Sequence, residues 1–412
     1  MSGRGNGILV VGAGQAGFQA AASLREAGFA GPLTLIGEEA QPPYQRPPLS
    51  KAYLAGKTDA RGLLLRPESF FAEYAITHRR ARATRIDRGT SRVRLEDGAS
   101  LAYDHLILAT GTRNRALPVP GAELSGVHGL RSLDEADALK GALERAHTIV
   151  VVGAGFIGLE FAAVCAARGL SVTVIEATPR VMARAVAPET SAAFRDFHEA
   201  AGVTIRFGAG VSAIEGADGR VASVTLADGE NLPADLVLVG IGVVPNQELA
   251  AEAGLPVRDG IEVDPFLATI DPAISAIGDC ARFPTRFAAG LPGGDRVRIE
   301  SVQNAVDQGR CLAARLTGRP AAYDAVPWFW SDQGPRKLQI AGLGGPDDAS
   351  VLRRAGGGFS VFRFRDGRLS AVESVDRPAD HMAARRIIAA GRSLTPEQAA
   401  DPAFDLKALA TA

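Results

Sequence analysis

The strongest constraint on how this chain can fold is a motif that occurs twice. Residues 8–17 read I-L-V-V-G-A-G-Q-A-G, and residues 149–158 read I-V-V-V-G-A-G-F-I-G, so the glycines of the two copies are separated by one constant offset. In both copies an apolar, largely β-branched run leads into G-x-G-x-x-G and then into an alanine-rich stretch. Each copy therefore predicts a strand, a tight glycine turn and a helix.

Both copies continue in the same way. Gly28 and Gly169, separated by the same offset, predict the ends of the two helices. The apolar runs Leu33–Ile36 and Val172–Ile175 then predict a second strand in each copy. A strand, a helix and a parallel strand form a βαβ unit, so the chain is predicted to contain two such units.

A second repeat, with a slightly shorter constant offset, follows these units. In each copy an Asp-Gly turn precedes an aspartate, a buried strand and a glycine. The matching residues are Asp97-Gly98, Asp104 and Gly111 in the first copy and Asp228-Gly229, Asp235 and Gly242 in the second. Two related α/β domains of the Rossmann type, the second inserted into the first, account for both offsets.

A region of different character begins near Pro327. Its apolar runs predict strands at Lys337–Leu343, Ser360–Arg365 and Arg368–Val375, and its last part predicts a helix at Ala379–Ala390. The fold class is therefore α/β, with two Rossmann-like dinucleotide-binding domains and a C-terminal α+β domain. The predicted domains are 1–113 with 247–326, 114–246, and 327–412.

Charge and composition exclude several classes of function. The 412 residues carry 45 Lys and Arg against 46 Asp and Glu, a net charge of -1, which gives no basis for binding nucleic acid. Met1–Gly7 lacks an apolar signal-peptide core, and no apolar run approaches the roughly 18 residues of a membrane span, so we expect a cytoplasmic protein without membrane insertion. Three widely spaced cysteines predict reduced thiols and no metal site.

The glycine motifs predict two pyrophosphate sites. The first glycine allows a tight turn, the second lets the backbone approach the phosphates, and the third lets the helix pack on the strand. The N-terminus of the helix then supplies N–H donors and a partial positive charge. The predicted contacts are Gly12, Ala13, Gly14 and Gly17 in the first site and Gly153, Gly155, Ile157 and Gly158 in the second.

Acidic residues follow the second strand of each unit. Glu176 comes directly after Ile175, where a carboxylate accepts hydrogen bonds from an adenosine ribose and repels a 2′-phosphate, so NADH is favoured over NADPH. Arg180 and Arg184 lie close enough in sequence to argue for NADPH. In the first copy the equivalent residue is Gly37, and either of the next two residues, Glu38 and Glu39, could bind a ribose.

Six segments together carry a resemblance to a known family: Gly12–Gly17, Pro43–Lys51, Ala109–Gly111, Gly153–Glu160, Gly278–Cys280 and Trp328–Gln333. They resemble the FAD-dependent NADH:ferredoxin reductases, the putidaredoxin reductase-like family that serves monooxygenases and aromatic-ring dioxygenases. The segment ending at Lys51 and the Trp-rich hexapeptide are the specific ones, because many flavoproteins share the glycine motifs. The resemblance implies a glutathione-reductase-like architecture and one noncovalent FAD.

The resemblance also implies roles for single residues. Lys51 matches the lysine beside the flavin, and Glu160 matches the glutamate that pairs with it, so these are the predicted catalytic residues. The further residues predicted to bind FAD are Glu38, Arg46, Ala109, Asp279, Val302 and Trp330, and those predicted to bind NADH are Glu176, Arg184 and Gly242. Val302 is a departure, because several relatives carry an aromatic residue there.

The electron acceptor is approached by elimination. Arg46–Lys51, where disulfide reductases and thiol-dependent NADH peroxidases place their redox cysteines, contains no cysteine. A one-electron carrier, a quinone and oxygen remain. The resemblance selects a small acidic [2Fe-2S] ferredoxin that serves an oxygenase, with this chain as a monomer or weak dimer. The alternatives are a rubredoxin or quinone reductase, or a redox-signalling flavoprotein resembling apoptosis-inducing factor.

Basic residues cluster just after Asp279, in the segment 281–310. They are Arg282, Arg286, Arg296, Arg298 and Arg310. Positive charge near the flavin would steer an acidic carrier toward it, and Arg310 and Arg298 are the predicted partner-binding residues. An ordinary solvated face is the alternative interpretation, since Asp295, Glu300 and Asp307 lie in the same segment.

Overall fold

A computed structural model describes residues 5–411. Between residues 8 and 114 lie the first βαβ unit and the short strands that follow it. The strands are β1 (Ile8–Val11), β2 (Leu33–Gly37), β3 (Thr77–Arg80), β4 (Ala83–Asp87), β5 (Arg92–Leu95), β6 (Ser100–Ala102), β7 (His105–Leu108) and β8 (Thr112–Asn114). The helices are α1 (Gln15–Glu26), α2 (Ala60–Leu63) and α3 (Ser69–Glu73), with a 3-10 turn at Pro47–Ser50.

The next part of the chain, to residue 252, contains the second βαβ unit. Its strands are β9 (Val127–His128), β10 (Thr148–Val152), β11 (Ser171–Glu176), β12 (Thr204–Phe207), β13 (Val211–Ala217), β14 (Arg220–Leu226), β15 (Asn231–Pro233), β16 (Leu236–Val239) and β17 (Val243–Pro245). Its helices are α4 (Leu133–Leu143), α5 (Phe156–Ala167), α6 (Pro188–Ala200) and α7 (Glu248–Glu252).

The last part begins at residue 261. Its strands are β18 (Ile261–Glu262), β19 (Ile274–Ala276), β20 (Ala281–Pro284), β21 (Arg296–Val297), β22 (Trp328–Gln333), β23 (Arg336–Gly342), β24 (Ala349–Ala355), β25 (Gly358–Arg365) and β26 (Arg368–Val375). Its helices are α8 (Val302–Leu316), α9 (Pro378–Ala389), α10 (Pro396–Ala400) and α11 (Leu406–Thr411), with 3-10 turns at Gly278–Cys280 and Arg286–Ala288. Within residues 5–411, no helix combines the length and the apolarity needed to cross a membrane.

The described residues form two compact units. The first comprises the chain through Gln45, Leu64–Arg113 and Val244–Phe329. The second comprises Arg46–Leu63, Asn114–Val243 and the chain from Trp330 onward. The three predicted domains stay a prediction, and the structure groups the segment around Lys51 and the C-terminal region with the second dinucleotide-binding fold.

The first unit is built on a five-stranded parallel sheet in the order β19-β7-β1-β2-β3. Val11 is in register with Ile36 on one side and Leu108 on the other. Both flanking strands and β1 are almost entirely buried, as expected for a parallel sheet covered on two faces. Helices α1 and α8 pack so closely that a Cβ atom at Gly309 would lie only 3.0 Å from the backbone nitrogen of Ala20.

The second unit repeats this sheet and adds an antiparallel one. Its parallel sheet has the order β12-β11-β10-β16-β9, and Val152 is in register with Ile175 and Val239. The C-terminal sheet has the order β22-β23-β26-β25-β24, with a turn at Asp366-Gly367 whose positive φ angles suit a tight hairpin. The predicted α/β fold class, with its inserted second dinucleotide-binding fold and its α+β region, is confirmed.

The elements that the sequence patterns predicted were located to within two residues. The helices of the two βαβ units end before Gly28 and Gly169, whose φ angles are +89° and +76°, as predicted. Many of the shorter elements were not predicted, among them strands β22 and β24 of the C-terminal region. Trp328–Gln333 alternates half-buried aromatic or acidic residues with fully buried Ser331 and Gln333, a pattern obscured by its mixed composition.

Candidate functional site

The first glycine motif forms a turn whose shape leaves one side open. Gly12 has a φ of +113°, and a Cβ atom there would lie 2.1 Å from the carbonyl oxygen of Ala109. A Cβ atom at Gly17 would lie 1.9 Å from the oxygen of Gly12, whereas at Gly14 it would meet nothing within 4 Å. The turn is therefore closed to side chains where helix and strand meet and open over the start of α1.

The helix that follows this turn has unused donors. Gly14 is the N-cap of α1, no side chain caps it, and its first turn contains no acidic residue. Gly155 has the same position at α5, with the same lack of a side-chain cap and of first-turn acids. Because the first N–H groups of a helix need acceptors, two open helix N-termini fit two dinucleotide phosphate groups.

A buried amide beside the first turn supports the same fit. Gln308 of α8 is fully buried, and its Oε1 accepts a hydrogen bond from the Gly278 nitrogen at 2.7 Å. A Cβ atom at Gly278 would lie 2.7 Å from the Cβ of Ala16 in α1, so this turn packs directly on that helix. The Nε2 group of Gln308 has no protein partner in residues 5–411, and such a donor suits a polar ligand or an ordered water.

The two acidic residues after β2, Glu38 and Glu39, have different surroundings. Tyr44 donates its hydroxyl to Glu39 Oε2. Glu38 is two-thirds exposed and lies 3.8 Å from Arg82. An ion pair this long and this exposed contributes little, so it does not hold the Glu38 carboxylate in place. Gly37 cannot carry a side chain without displacing Ala13, since an added Cβ would be 2.5 Å from the Cβ of that alanine. Glu38 is therefore the better placed ribose acceptor.

Three other residues predicted to bind FAD or a partner lie around the turn at Gly278–Cys280. Asp279 is partly buried, and Val302 is the first residue of α8. The side chain of Arg298 is only 9% exposed; it pairs with Asp259 and Glu300 and donates to the carbonyl oxygen of Asp279. Its charge thus stabilises this turn and is not presented to a partner, whereas Arg310 is exposed on α8.

In the second unit, Lys51 and Glu160 form a close ion pair. Lys51 Nζ lies 3.0 Å from Glu160 Oε1, and the carboxylate side chain is only 3% exposed. Ser331 Oγ donates to the same oxygen at 2.6 Å, and Ser50 Oγ donates to Oε2 at 2.5 Å. Burial raises the pKa of Glu160, while the Lys51 ammonium and the two hydroxyl donors oppose that rise. Folding thus brings together a lysine and a buried carboxylate from well-separated parts of the chain.

The segment that carries Lys51 is anchored at both ends. Pro47 and Pro48 occupy the first positions of a 3-10 turn, where a missing N–H costs nothing, and the next residue, Leu49, is 2% exposed. Further on, Tyr53 donates to Asp137 Oδ1 at 2.5 Å, and burial together with this bond raises the pKa of Tyr53 to about 12. These anchors hold Lys51 against α5.

Two other residues predicted to bind FAD belong to the same unit. Arg46 precedes the 3-10 turn and donates to the carbonyl oxygen of Arg131 at 2.7 Å. Trp330 is half-buried and directly precedes Ser331, which bonds Glu160. The following residue, Asp332, lies 3.5 Å from Lys51 Nζ. Strand β22 thus contributes to the surroundings of the Lys51–Glu160 pair from two positions.

The second glycine motif carries an acidic residue that the first lacks. Glu176 ends β11, and its Oε2 accepts a hydrogen bond from the Ala154 nitrogen inside the glycine turn at 2.8 Å. Its Oε1 accepts from the nitrogen and the hydroxyl of Thr178, both at 2.8 Å. A carboxylate offers about four acceptor positions, so it retains capacity for a ribose hydroxyl. Gly153, with a φ of +103°, makes the same turn as its counterpart.

The remaining residues predicted to bind NADH surround this turn. Ile157 is 42% exposed at the start of α5, and a Cβ at Gly158 would lie 2.2 Å from the Gly153 oxygen. Arg184 is exposed, and its guanidinium lies beside Gly242, 3.5 Å from where a Cβ would be. Arg180 donates instead to the carbonyl oxygens of Val186 and Ala183, so it stabilises its own loop. Of the two arginines that argue for NADPH, only Arg184 has an exposed side chain.

Several residues of these sites were missed by sequence reasoning. Ser50, Ser331 and Asp332 lie inside the motifs that carry the resemblance, but nothing in a single sequence shows that two serines meet one glutamate. Gln308 had no signal, because a glutamine within a helix is ordinarily a surface residue.

Comparison with known proteins identifies the family. Residues 6–309 match the model of the pyridine nucleotide-disulphide oxidoreductases, and residues 328–410 match the reductase C-terminal domain. The chain belongs to the pyridine nucleotide-disulphide oxidoreductase family. Ferredoxin reductases of this family use FAD and NAD(P)H, and the chain is an oxidoreductase of this kind.

Similar proteins match this oxidoreductase over almost its whole length. Rhodocoxin reductase of Rhodococcus erythropolis is 55% identical, covering 97% of this chain and 93% of the relative. The solved ferredoxin reductase of the CYP199A2 system from Rhodopseudomonas palustris is 51% identical with a TM-score of 0.95, covering 98% and 100% of the two chains. The reductase in the covalent putidaredoxin reductase–putidaredoxin complex is 39% identical with a TM-score of 0.94, covering 98% of each chain.

The family name includes disulfide chemistry, which this member's cysteines do not support. Cys165 and Cys280 are buried free thiols, and burial raises the pKa of both, that of Cys165 to about 12. Cys311 is partly buried on α8, and burial raises its pKa also. A thiol must ionise to attack a disulfide, so none of the three is activated.

Proposed function

We propose that this flavoprotein is an NADH-dependent ferredoxin reductase that passes electrons singly to a small, acidic [2Fe-2S] ferredoxin serving an oxygenase. The observation that carries the proposal is the buried Lys51–Glu160 pair in a segment without a redox cysteine. The similar proteins support the same acceptor class, since they are named as rhodocoxin, putidaredoxin and ferredoxin reductases. We propose the chain to act as a monomer or weak dimer.

FAD supplies the redox chemistry when bound, because it can accept two electrons as a hydride and release them one at a time. The side chains bind, orient and balance charge. The first glycine turn and α1 would bind the pyrophosphate, Glu38 the ribose, and Asp279 the ribityl chain. Arg46 and Trp330 would border the cofactor.

Lys51 would place a positive charge beside the flavin ring, which favours the negative charge that reduction adds. Glu160 holds that ammonium group in position and offsets its desolvation. Ser50 and Ser331 each donate a further hydrogen bond to the carboxylate, so Glu160 can be buried without an unpaired charge. The pair is therefore a preorganised electrostatic element, available without rearrangement.

NADH would bind at the second turn, with Glu176 accepting from the ribose. A negative carboxylate at this position repels a 2′-phosphate. The Arg180 guanidinium donates to carbonyl oxygens of its own loop and does not offset that repulsion, so NADH is the proposed donor. Arg184 and Gly242, which lie side by side, would also border the bound NADH.

The first experiment measures cofactor content and acceptor choice together. The purified protein should be yellow with one noncovalent FAD, released by denaturation, and NADH should drive reduction of one or more members of a panel of [2Fe-2S] ferredoxins. Rubredoxin and a soluble quinone are the competing acceptors, and ferricyanide is the control for flavin reduction. Rapid ferricyanide reduction without reduction of any ferredoxin would reject the proposed acceptor, and a protein that stays colourless with added FAD would reject the cofactor.

Arg310 is proposed as the docking residue for the ferredoxin, because it is exposed on the helix that packs beside the Gly278–Cys280 turn. The variant Arg310→Glu should lower the rate of ferredoxin reduction at low salt at least about tenfold and flatten its salt dependence. The matched control is Arg298→Gln, whose parent charge is internally paired. An unchanged ferredoxin rate in Arg310→Glu would place the docking surface elsewhere.

A further inference from the structure

A chain of hydrogen bonds leads from Glu160 through the interior of the second unit to His198. Ser331 Oγ is 2.6 Å from Glu160 Oε1, Gln333 Nε2 is 3.3 Å from Ser331 Oγ, and His198 Nε2 is 2.8 Å from Gln333 Oε1. Ser331, Gln333 and His198 are each 0% exposed. Their burial means that solvent cannot substitute for any broken link.

The direction of every link follows from the chemistry of the atoms. Gln333 Nε2 also lies 3.5 Å from Met182 Sδ, and a thioether can only accept, so this end of the amide is the NH2 group. Gln333 Oε1 then faces His198 and must accept, which places the imidazole hydrogen on Nε2. Ser331 accepts from Gln333 and is free to donate to the Glu160 carboxylate. All three links therefore donate toward Glu160.

We propose that Gln333 and His198 are positioning residues for the Lys51–Glu160 pair, because they hold the Ser331 hydroxyl hydrogen on Glu160 Oε1 and thereby keep this buried carboxylate ionised. The inference stands on contacts inside the second unit. It therefore goes beyond the proposed function and does not depend on which acceptor the enzyme reduces.

His198 acts by preventing a rotation of the Gln333 amide. A flipped amide would point its NH2 group at the imidazole N–H and its oxygen at Ser331. The first contact either sets two donors against each other or forces the other imidazole tautomer, which leaves an Nδ1–H group buried without a partner in the described chain. The low-dielectric interior makes both outcomes costly. Without the imidazole donor the flip becomes possible, and the amide oxygen then competes with Glu160 for the Ser331 hydrogen.

The carboxylate depends on this hydrogen because few other groups support its charge. Within residues 5–411 its other partners are Lys51 and Ser50, and the Lys51 ammonium group is shared with Asp332, which lies 3.5 Å away. Burial raises the pKa of Glu160, so each donor that is lost moves it closer to protonation. His198 stays neutral, since burial lowers its pKa, and it contributes a dipole and no charge.

The test uses two replacements of His198 that differ in where they place an amide. His198→Gln puts an NH2 group near the position of Nε2, whereas His198→Asn mimics Nδ1, which has no protein partner in the described chain. Protonation of Glu160 is followed in the FAD-loaded protein by infrared difference spectroscopy across pH, with Glu160→Gln identifying the carboxyl band. Gln333→Met breaks the chain at its centre with little change in volume.

The expected midpoint for Glu160 protonation is about one pH unit higher, a tenfold change in the equilibrium, in His198→Asn and in Gln333→Met. His198→Gln should restore the parent midpoint. Met182→Leu is the packing control, since it removes only the weak thioether acceptor of Gln333 and leaves in place the three links to Glu160 and the His198 donor that holds the amide.

Equal midpoints in the parent, His198→Asn and Gln333→Met would overturn the proposal, as would a shift in Met182→Leu as large as that in Gln333→Met. If His198→Asn fails to retain FAD or its near-ultraviolet circular dichroism, Gln333→Met carries the test alone. Because the infrared band reports Glu160 itself, this outcome is separate from any result with ferredoxins.

Discussion

The glycine turn of the first unit and that of the second have closely similar backbones, with φ angles of +113° at Gly12 and +103° at Gly153. Each leads into a helix of 12 residues with a glycine N-cap. The fifth helical residue differs. In the first unit it is Gln19, which donates a hydrogen bond to Ser23 one turn further along the helix. In the second unit it is Glu160, which pairs with Lys51 and accepts hydrogen bonds from two serines.

The same helix position thus serves packing in one repeat and electrostatics in the other. A dinucleotide-binding backbone specifies where a side chain stands but not what surrounds it. In the second unit, the surroundings come from the Lys51 segment and from β22, which have no counterpart in the repeat itself. Under the proposed function, the repeated part of this fold would bind phosphates, while the groups for its chemistry come from segments outside the repeat.

The strongest test of this difference is to truncate Glu160 and Gln19, the equivalent residues of the two helices. Glu160→Ala should destabilise the protein by about 3 kcal/mol, because it leaves the Lys51 ammonium without its buried partner. It should also slow flavin reduction by NADH. Gln19→Ala should cost about 1 kcal/mol. Thermal unfolding and stopped-flow absorbance measure both effects, and equal losses from the two variants would contradict the assigned difference.

The second glycine of each motif separates phosphate binding from folding. Neither Gly14→Ala nor Gly155→Ala meets an atom closer than 3.9 Å, so both should fold. We expect Gly14→Ala to lower FAD affinity by about two powers of ten, nearly 3 kcal/mol, and Gly155→Ala to raise KM for NADH with FAD content unchanged. Ultrafiltration measures the FAD released. Loss of FAD from Gly155→Ala alone would reverse the assignment of the two sites.

The acidic residue present in one repeat only should set the choice of nucleotide. In Glu176→Ala the ratio of kcat/KM for NADH to that for NADPH should fall about tenfold, or 1.4 kcal/mol, because the repulsion of a 2′-phosphate is lost. Glu176→Gln keeps an acceptor for the Ala154 nitrogen and tests the charge alone. A parent enzyme that uses both nucleotides equally would exclude Glu176 from this role.

The smallest predicted difference in stability is between Asp104 and Asp235, the equivalent aspartates of the two copies. Asp235 accepts hydrogen bonds from the nitrogens of His147 and Thr148, both at 2.9 Å, whereas Asp104 accepts one from Gly7. Asp235→Asn should therefore cost about 1 kcal/mol at pH 7, and Asp104→Asn less.

The stability that Asp235 contributes should depend on pH in one direction. The hydrogen bonds from His147 and Thr148 hold the pKa of Asp235 below its ordinary value. The stability that these bonds provide is present above about pH 4, the range of an unfolded aspartate, and is lost as pH falls through the lowered folded value. The thermal midpoints of the parent and Asp235→Asn should converge in acid, and a gap that persists there would contradict the assignment.

Local patterns allowed much of this molecule to be predicted. Apolar runs ending in G-x-G-x-x-G specify strand, turn and helix through the steric needs of three glycines, and those needs are local. Helix ends at Gly28 and Gly169 follow for the same reason. Strand β22 was missed because Trp328 and Trp330 occupy half-buried positions, and these large apolar residues conceal the alternation of the strand.

The candidate site divides in the same way. The two open helix N-termini and the position of Glu176 depend on a few neighbouring residues, so the sequence determined them by itself. Only the tertiary structure decided that Arg298 is internally paired, that Glu38 is exposed and loosely paired where Glu39 accepts from Tyr44, and that Ser50, Ser331, Gln333 and His198 are hydrogen-bonded around one carboxylate. Those partners come from distant parts of the chain, with Ser50 near its start and Gln333 in its last quarter. A buried charge is stabilised by whatever donors folding brings within about 3 Å, and no local rule encodes that distance.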